Sequence, residues 1–262
     1  LLDADHPGNL ESFARCFTYL WSYSIGAFEP TKAVIYDFAE SRAGRHAQEF
    51  LRDWRGTLIC DDYSGYKALL ANGLTEAGCM AHARRKFFDL HSQKQSLIAG
   101  EALEYFGKLY GVEREVVELD TDERRRIRVA KAQPIADELH AWLTRQRQVV
   151  PNGSGTAKAI DYSLKRWVAL THYLSDGQVP IDNNWIENQI RPIALGRKNW
   201  LFAGSLRAGK RAAAIMSLVQ SAKLNGHDPL VYLKDVLARL PTQPASRVGE
   251  LLPHRWQPQT IA

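Results

Sequence analysis

Asp182-Asn183-Asn184-Trp185-Ile186-Glu187-Asn188-Gln189-Ile190-Arg191-Pro192 sets three small polar residues where a helix would be capped, puts a carboxylate on its first turn, and offers Pro192 as its end. The plainest account is a capping box, in which Asn184 and Glu187 satisfy the first backbone N–H groups and the glutamate does no chemistry. The neighbouring sequence argues for more. Arg191, Arg197, Lys198, Arg207, Lys210 and Arg211 follow closely, interleaved with Trp200 and Phe202. Cations among aromatic rings suit phosphate contact and base stacking. A lone carboxylate there would repel a polyanion, whereas one that holds a divalent cation would help to bind and cut it.

Working outward, 262 residues with 45% apolar content suffice for one large core, or one core with a helical satellite, as in an ordinary soluble globular protein. The net charge of +5 and a pI near 9.1 weakly favour a polyanionic partner. Cys16, Cys60 and Cys79 are odd in number and irregularly spaced, which argues against a disulfide framework and makes a reducing cytosol the default. No apolar run approaches the roughly 20 residues needed to cross a bilayer, and no signal peptide leads the chain. The start at Leu1-Leu2-Asp3-Ala4-Asp5, without a methionine, is read as lying inside a longer protein or a truncated reading frame.

Along the chain, Asp5 could stand at the mouth of a short first strand, before His6-Pro7-Gly8 turns the backbone. Thr18 to Ser24 alternates aromatic with small polar residues and Ala33 to Phe38 is apolar, so both predict strands. Residues 46–54 carry one apolar helical face, with Gly56 expected to end it. Thr57-Leu58-Ile59-Cys60 reads as a buried central strand, closed by Asp61-Asp62. Carboxylates at the carboxyl end of such a strand lie where open α/β sheets place their sites. Neighbours on a strand face opposite ways, so only one of the pair can serve a given site, and Asp62 is expected to be a turn or N-cap residue.

A short helix (66–71), a strand (75–79) and a basic helix (83–90) follow. Cys79 and His82 could form half of a zinc site, but no second pair stands at suitable spacing, so a packed cysteine and a histidine hydrogen-bonded near an acidic site is the preferred reading. From Ser96 to about Tyr173 the pattern is helical, with a Pro151–Gly155 linker and a helix at 158–174 whose stripe is Ile160, Leu164, Trp167, Val168 and Leu174. Helices at 209–225 and 230–240 precede a proline-containing tail. No glycine loop of the Walker type is present, which disfavours nucleotide hydrolysis. Asp5, Asp61 and Glu187 remain as separated acids that a sheet could bring together around hard divalent cations.

The segments Cys60-Asp61-Asp62-Tyr63-Ser64-Gly65-Tyr66, Cys79 to Phe88, Asp182 to Glu187 through Arg191-Pro192, and Leu195 to Ser205 resemble those of bacterial DDE transposases, in particular the insertion sequence sixty-six family and its large TnpC-type transposase. The likeness runs from about Tyr19 to Trp256. It implies an α/β chain with an RNase H-like mixed sheet flanked by helices, an all-helical insertion and carboxy-terminal helices. The corresponding division is a first part of the core at 1–95, the insertion at 96–175, the rest of the core with its acidic helix at 176–240, and a tail at 241–262.

Carried residue by residue, the second acid of such a site falls on Asp61 and the third on Glu187. The first falls on Asp5, whose Ala4-Asp5-His6-Pro7 context matches the family only in part. The three would ligand Mg2+, with Mn2+ as a substitute, and catalyse DNA cleavage and strand transfer. His82 would hydrogen-bond at the edge of the site, while Arg191, Arg197 and Lys198 contact phosphates. The implied partners are element ends and target DNA, engaged by a homo-oligomer in the bacterial cytoplasm and nucleoid, with no membrane. Residues 6–17 depart from the family, and a shifted reading frame would produce such a departure. Two other readings therefore stay open: an inactive remnant that binds DNA or a protomer without cutting, and an RNase H-like nuclease of the junction-resolving kind, which would cleave without joining.

Overall fold

The alternation of aromatic and small polar side chains over Tyr19–Ser24 makes strand β1, and Val34–Ala39 makes β2. They pair antiparallel, with Trp21 opposite Asp37 and Ser24 opposite Val34. The computed structural model describes residues 19–94, 96–196 and 205–258, which divide into two compact units. A split unit takes the described residues up to Arg52 together with those from Trp185 onward, and a continuous unit spans Asp53–Asn184.

In the split unit one face of the β1–β2 pair receives α1 (Arg45–Leu51), where Tyr23 stacks on Phe50 with centroids 3.9 Å apart. The edge of β2 is covered by α10 (Leu206–Leu224). Ser221 Oγ accepts the Val34 N–H at 3.0 Å and donates to the Val34 carbonyl at 3.0 Å. Ser217 Oγ accepts the Tyr36 N–H at 2.8 Å, and Asn225 just past the helix donates to the Lys32 carbonyl at 2.8 Å. Four residues of helix rise about 6 Å and two residues of strand about 6.6 Å, so a helical row spaced by four can keep step with alternate strand residues. The same row continues through Ala213 to Gly209, whose missing side chain leaves room for the Phe38 ring.

Helix α9 (Asn184–Gly196), most of which belongs to this unit, sets Ile186 and Ile193 against the Val34, Tyr36 and Ala213 cluster. Pro192 does not end it, contrary to expectation. The proline costs one helical N–H and crowds the carbonyl of Asn188, but Asn188 is exposed, so water can take up that carbonyl while the anchored face carries the helix on. Helix α11 (Pro229–Arg239) is capped by Asp228, which accepts from the N–H groups of Leu230 and Val231. The segment beyond it, expected as a tail, carries structure of its own. Ala245–Leu251 forms a 3-10 helix, and Leu251 and Trp256 are buried with Ala222, Tyr232 and Val236.

In the continuous unit β3 (Thr57–Cys60) and β4 (Thr75–Gly78) pair in parallel through a crossover that contains α2 (Lys67–Ala71). The strand expected to be central thus has one strand neighbour, and among the described residues the strands form two two-stranded sheets, one in each unit, where a single mixed sheet was expected. The rest of the unit is helical: α3 (Met80–Lys94), α4 (Leu97–Val116), α5 (Thr121–Ile127), a π-helical turn (Arg128–Ala132), α6 (Gln133–Val149), α7 (Gly155–Lys165) and α8 (Trp167–Ser175). Ser96, Asp120 and Ser154 cap α4, α5 and α7 through their side chains. The helix expected over 158–174 is broken at Arg166, and Val168, assigned to its apolar stripe, is 85% exposed.

Two buried arginines hold the loop after α8. Arg128 pairs with Glu113 at 2.8 and 2.6 Å and donates to the carbonyls of Tyr173 (2.9 Å), Asp176 (3.1 Å) and Val179 (2.9 Å). Arg124 donates to Gly177 O at 2.5 Å and to Val116 O at 3.2 Å.

Because an added side chain would overlap the Phe38 ring, Gly209→Val is expected to lower stability by about 1–3 kcal/mol, the usual cost of overpacking, read from urea denaturation against wild type. A second expectation concerns alkaline pH. Burial pushes the Tyr36 and Tyr232 hydroxyls up to about 12 from their ordinary value of 10.0. The fold therefore keeps these protons where the unfolded chain has lost them. Their contribution is whole below pH 10 and is lost as the pH climbs toward 12, so the urea midpoint should fall across that interval. A flat midpoint would contradict this.

Candidate functional site

The carboxylates expected to do chemistry are carried by different parts of the chain. Asp61 follows β3 directly and is half-buried, with Oδ1 accepting the Tyr63 N–H at 3.3 Å. That turn leaves its other oxygen available, and hard oxygen donors of this kind fit magnesium. Glu187 stands exposed in the first turn of α9. It shares the outward face of that helix with Arg191, four residues on, while Ile186, Gln189 and Ile193 face inward. Gln189 is fixed from several sides: its carbonyl accepts the Tyr36 hydroxyl at 2.6 Å, and its side chain bonds Gln220 at 2.8 Å and Trp185 O at 3.2 Å. The orientation of α9 on β2 therefore determines that Glu187 and Arg191 look outward.

Asp61 belongs to the continuous unit and Glu187 to the split unit. Asp5, Arg197 and Lys198 lie outside the described residues, as do Trp200 and Phe202. Among the described residues no group of three His, Cys, Asp or Glu side chains is placed to hold a metal ion. The described cations near the acidic helix in sequence, Arg191 on α9 and Arg207, Lys210 and Arg211 on α10, are exposed.

Asp62, expected as a turn or N-cap residue, stands in a bend after β3. The short 3-10 turn Ser64–Tyr66 that follows has no side-chain cap, and Asp62 instead meets Arg166 at 2.5 Å. Arg166 also holds Glu76 of β4 at 2.7 Å, and the Cys60 thiol lies 3.9 Å from the same Glu76 oxygen. The Cys60 thiol is pushed up to about 12, by burial first and then by the Glu76 charge.

The quoted acidic turn also differs from a capping box. Asn184 is the first residue of α9, and its side-chain amide turns back to donate to Asp182 Oδ2 at 2.8 Å, while its N–H donates to Oδ1 at 3.0 Å. The Tyr110 hydroxyl from α4 donates to the same Asp182 at 2.7 Å. Burial raises the Tyr110 hydroxyl well above its ordinary value, and the Asp182 charge raises it further. The Ile181 carbonyl takes the Met80 N–H at 3.0 Å at the start of α3.

Cys79, fully buried, sits beside this turn. Its thiol is pushed up to about 11, chiefly by burial, with backbone N–H groups of Asn183, His82 and Ala81 pulling the other way. His82 stands half-buried in the first turn of α3. Cys79 is thus packed in the core, as expected of it. Sequence reading passed over Asp182, Tyr110 and Arg166 as functional candidates. Their partners are 72 and 104 residues away in the cases of Tyr110 with Asp182 and Arg166 with Asp62, and no local pattern announces them.

Comparison with known proteins agrees with these motifs. The family model described as Transposase IS66 family matches residues 14–211, and that of the IS66 C-terminal element matches residues 217–254. Three proteins of Sinorhizobium fredii are similar, each carrying the name uncharacterized protein: y4hP, 38% identical over 95% of this chain and 49% of its own length; y4qI, 36% identical over 93% and 48%; and y4jD, 35% identical over 87% and 47%. The chain spans about half the length of these curated relatives. No solved structure matches it. With its motifs and most of its length accounted for by one family model, the chain belongs to the IS66 family of transposases.

Proposed function

We propose that this chain carries the catalytic region of a DDE-type transposase with an RNase H-like core, which cleaves DNA at element ends and joins the freed 3′ hydroxyl to target DNA. The observation that carries the reading is Asp61, set at the carboxyl end of β3 within the family match, with its turn closed by Tyr63 so that one carboxylate oxygen stays available. Asp61, Glu187 and Asp5 would hold Mg2+, or Mn2+ in its place. When bound, the metal supplies an activated water or sugar hydroxyl and stabilises the leaving oxygen of a phosphodiester.

The protein's own groups position and screen. Glu187 and Arg191 share the outward face of α9, so a carboxylate and a guanidinium are offered together, the guanidinium suited to a phosphate oxygen. Arg207, Lys210 and Arg211 on the first turns of α10 extend the positive charge, and Arg197 and Lys198 add to it in sequence. Contacts of this type give affinity without base specificity and weaken steeply with salt. His82 would act at the border of the site, and a homo-oligomer assembled on DNA would bring two ends together.

A second reading has an observation in its favour. The family match begins at residue 14, past Asp5, so the first acid stands outside it. On that reading the chain binds DNA or another protomer and does not cut.

The two readings separate in one assay, with the chain incubated with Mg2+ and DNA bearing the element ends. On the catalytic reading Asp61→Asn and Glu187→Gln each lose at least roughly 10²-fold in cleavage and joining, the scale seen when one preorganised electrostatic contact to a transition state is removed. Filter binding of the same DNA should change little. Full activity in Glu187→Gln would remove its proposed role. Salt-sensitive binding with no metal-dependent cleavage by wild type would decide for the second reading, and cleavage without joining would indicate a nuclease.

A further inference from the structure

We infer that Arg166 acts as a resident cation that occupies Asp62 and Glu76, so that of the two adjacent aspartates only Asp61 is left to a divalent metal; this rests on the reading of Asp61 given above. Asp61 and Asp62 are consecutive carboxylates, and Asp62 shares one guanidinium with a third, Glu76, on the paired strand. Left to themselves, Asp62 and Glu76 would compete with Asp61 for a hard divalent ion, and the ion's position would be ill defined. Arg166 removes both competitors. It meets Asp62 at 2.5 Å through one terminal nitrogen and Glu76 at 2.7 Å through the other, while its side chain is only 11% exposed. A fork of fixed geometry bridging two carboxylates is a task for arginine, since lysine offers a point charge in its place.

The placement of Arg166 is built into the fold. It occupies the break between α7 and α8, with φ −106° and ψ 12°, and its carbonyl accepts the Leu170 N–H at 2.9 Å to launch α8. Helix α8 in turn lies so close to β4 that a side chain at Gly78 would stand 3.1 Å from the Leu170 nitrogen. The Arg166 guanidinium also lies 5.8 Å from the Tyr162 ring centre. The break, the glycine and the ring together aim one cation at the end of the β3–β4 pair. Asp61 is left with the Tyr63 N–H on one oxygen. Arg166 touches neither DNA nor metal on this account and is a positioning residue.

Binding of Mn2+ to the whole chain, followed by isothermal titration calorimetry without DNA, tests this apart from activity. In Asp61→Asn, Mn2+ affinity is expected to fall about tenfold or more. Adding Arg166→Gln to that variant should restore binding, through the freed Asp62 and Glu76, and adding Asp62→Asn as well should abolish it again. Arg166→Gln alone should bind Mn2+ at least as tightly as wild type while losing cleavage, a combination that mere unfolding does not produce. A folded Arg166→Gln chain, judged by an unchanged melting temperature, with the wild-type isotherm and wild-type cleavage would overturn the inference. If instead Asp61→Asn keeps the wild-type isotherm, the reading of Asp61 fails, and Arg166 is still judged on its own isotherm. Should Arg166→Gln not fold, Asp62→Asn alone decides. It should leave Mn2+ binding unchanged, and a tenfold loss would make Asp62 a ligand and refute the assignment.

Discussion

The split unit depends on a helix doing the work of a strand. A two-stranded antiparallel pair has two open edges and is marginal by itself, because its outward N–H and carbonyl groups need partners. At β2 those partners come from α10, where Ser217, Ser221 and Asn225 repeat at four-residue spacing and meet Tyr36, Val34 and Lys32 in turn. Each such bond is worth only about 1 kcal/mol net, but an unmet buried donor costs about 1–3 kcal/mol, so the row's value lies mainly in what it prevents. Small residues are required at every step. Gly209 and Ala213 complete the row where Phe38 and the Val34–Tyr36 cluster press closest.

The continuous unit solves a comparable problem with charge. The last turn of α8 and the loop that follows turn the carbonyls of Tyr173, Asp176, Gly177 and Val179 inward, and Arg128 and Arg124 collect them. Arg128 is fully buried, which would be prohibitive for an isolated cation; Glu113 neutralises it and the carbonyls saturate its remaining donors. The arrangement demands glycine at 177, where a side chain would collide with the Thr121 backbone. The loop so fixed leads to Ile181 and Asp182, which meet the Met80 N–H and the Tyr110 hydroxyl. The acidic turn is thus positioned by α3 and α4, two consecutive helices far earlier in the chain.

What could be read from the sequence follows the range of the interaction responsible. The strands at β1, β2, β3 and β4, the end of α10 before Asn225-Gly226 and the Asp228 start of α11 all rest on alternation, caps and turns within a few residues. The end of α9 was misjudged because Pro192 is a local signal, whereas the packing of Ile193 on β2 and α10 is not. Val168 matched a helical stripe that exists only if no break occurs at Arg166. In the tail, prolines interrupt any periodic pattern that would announce the burial of Trp256 against Tyr232, with ring centres 5.5 Å apart. At the site, Asp61 and Glu187 could be singled out from their neighbours, but nothing near Asp62 indicates that its partner lies 104 residues on.

The Arg166 cluster also shows why ion pairs should be judged by direction as well as strength. The Asp62 side chain is 52% exposed, and a pair that open contributes about 0–1 kcal/mol, too little to matter for stability. The Glu76 contact is more enclosed, at 27% exposure for the glutamate, and anchors the guanidinium to β4. With one arm fixed there, the second arm needs little energy of its own to hold Asp62, because the geometry of the fork has already been set by the first. A weak bond placed on a firmly held donor can therefore orient a carboxylate that it could not stabilise alone. That is the condition under which one of two neighbouring aspartates can be reserved for a cation.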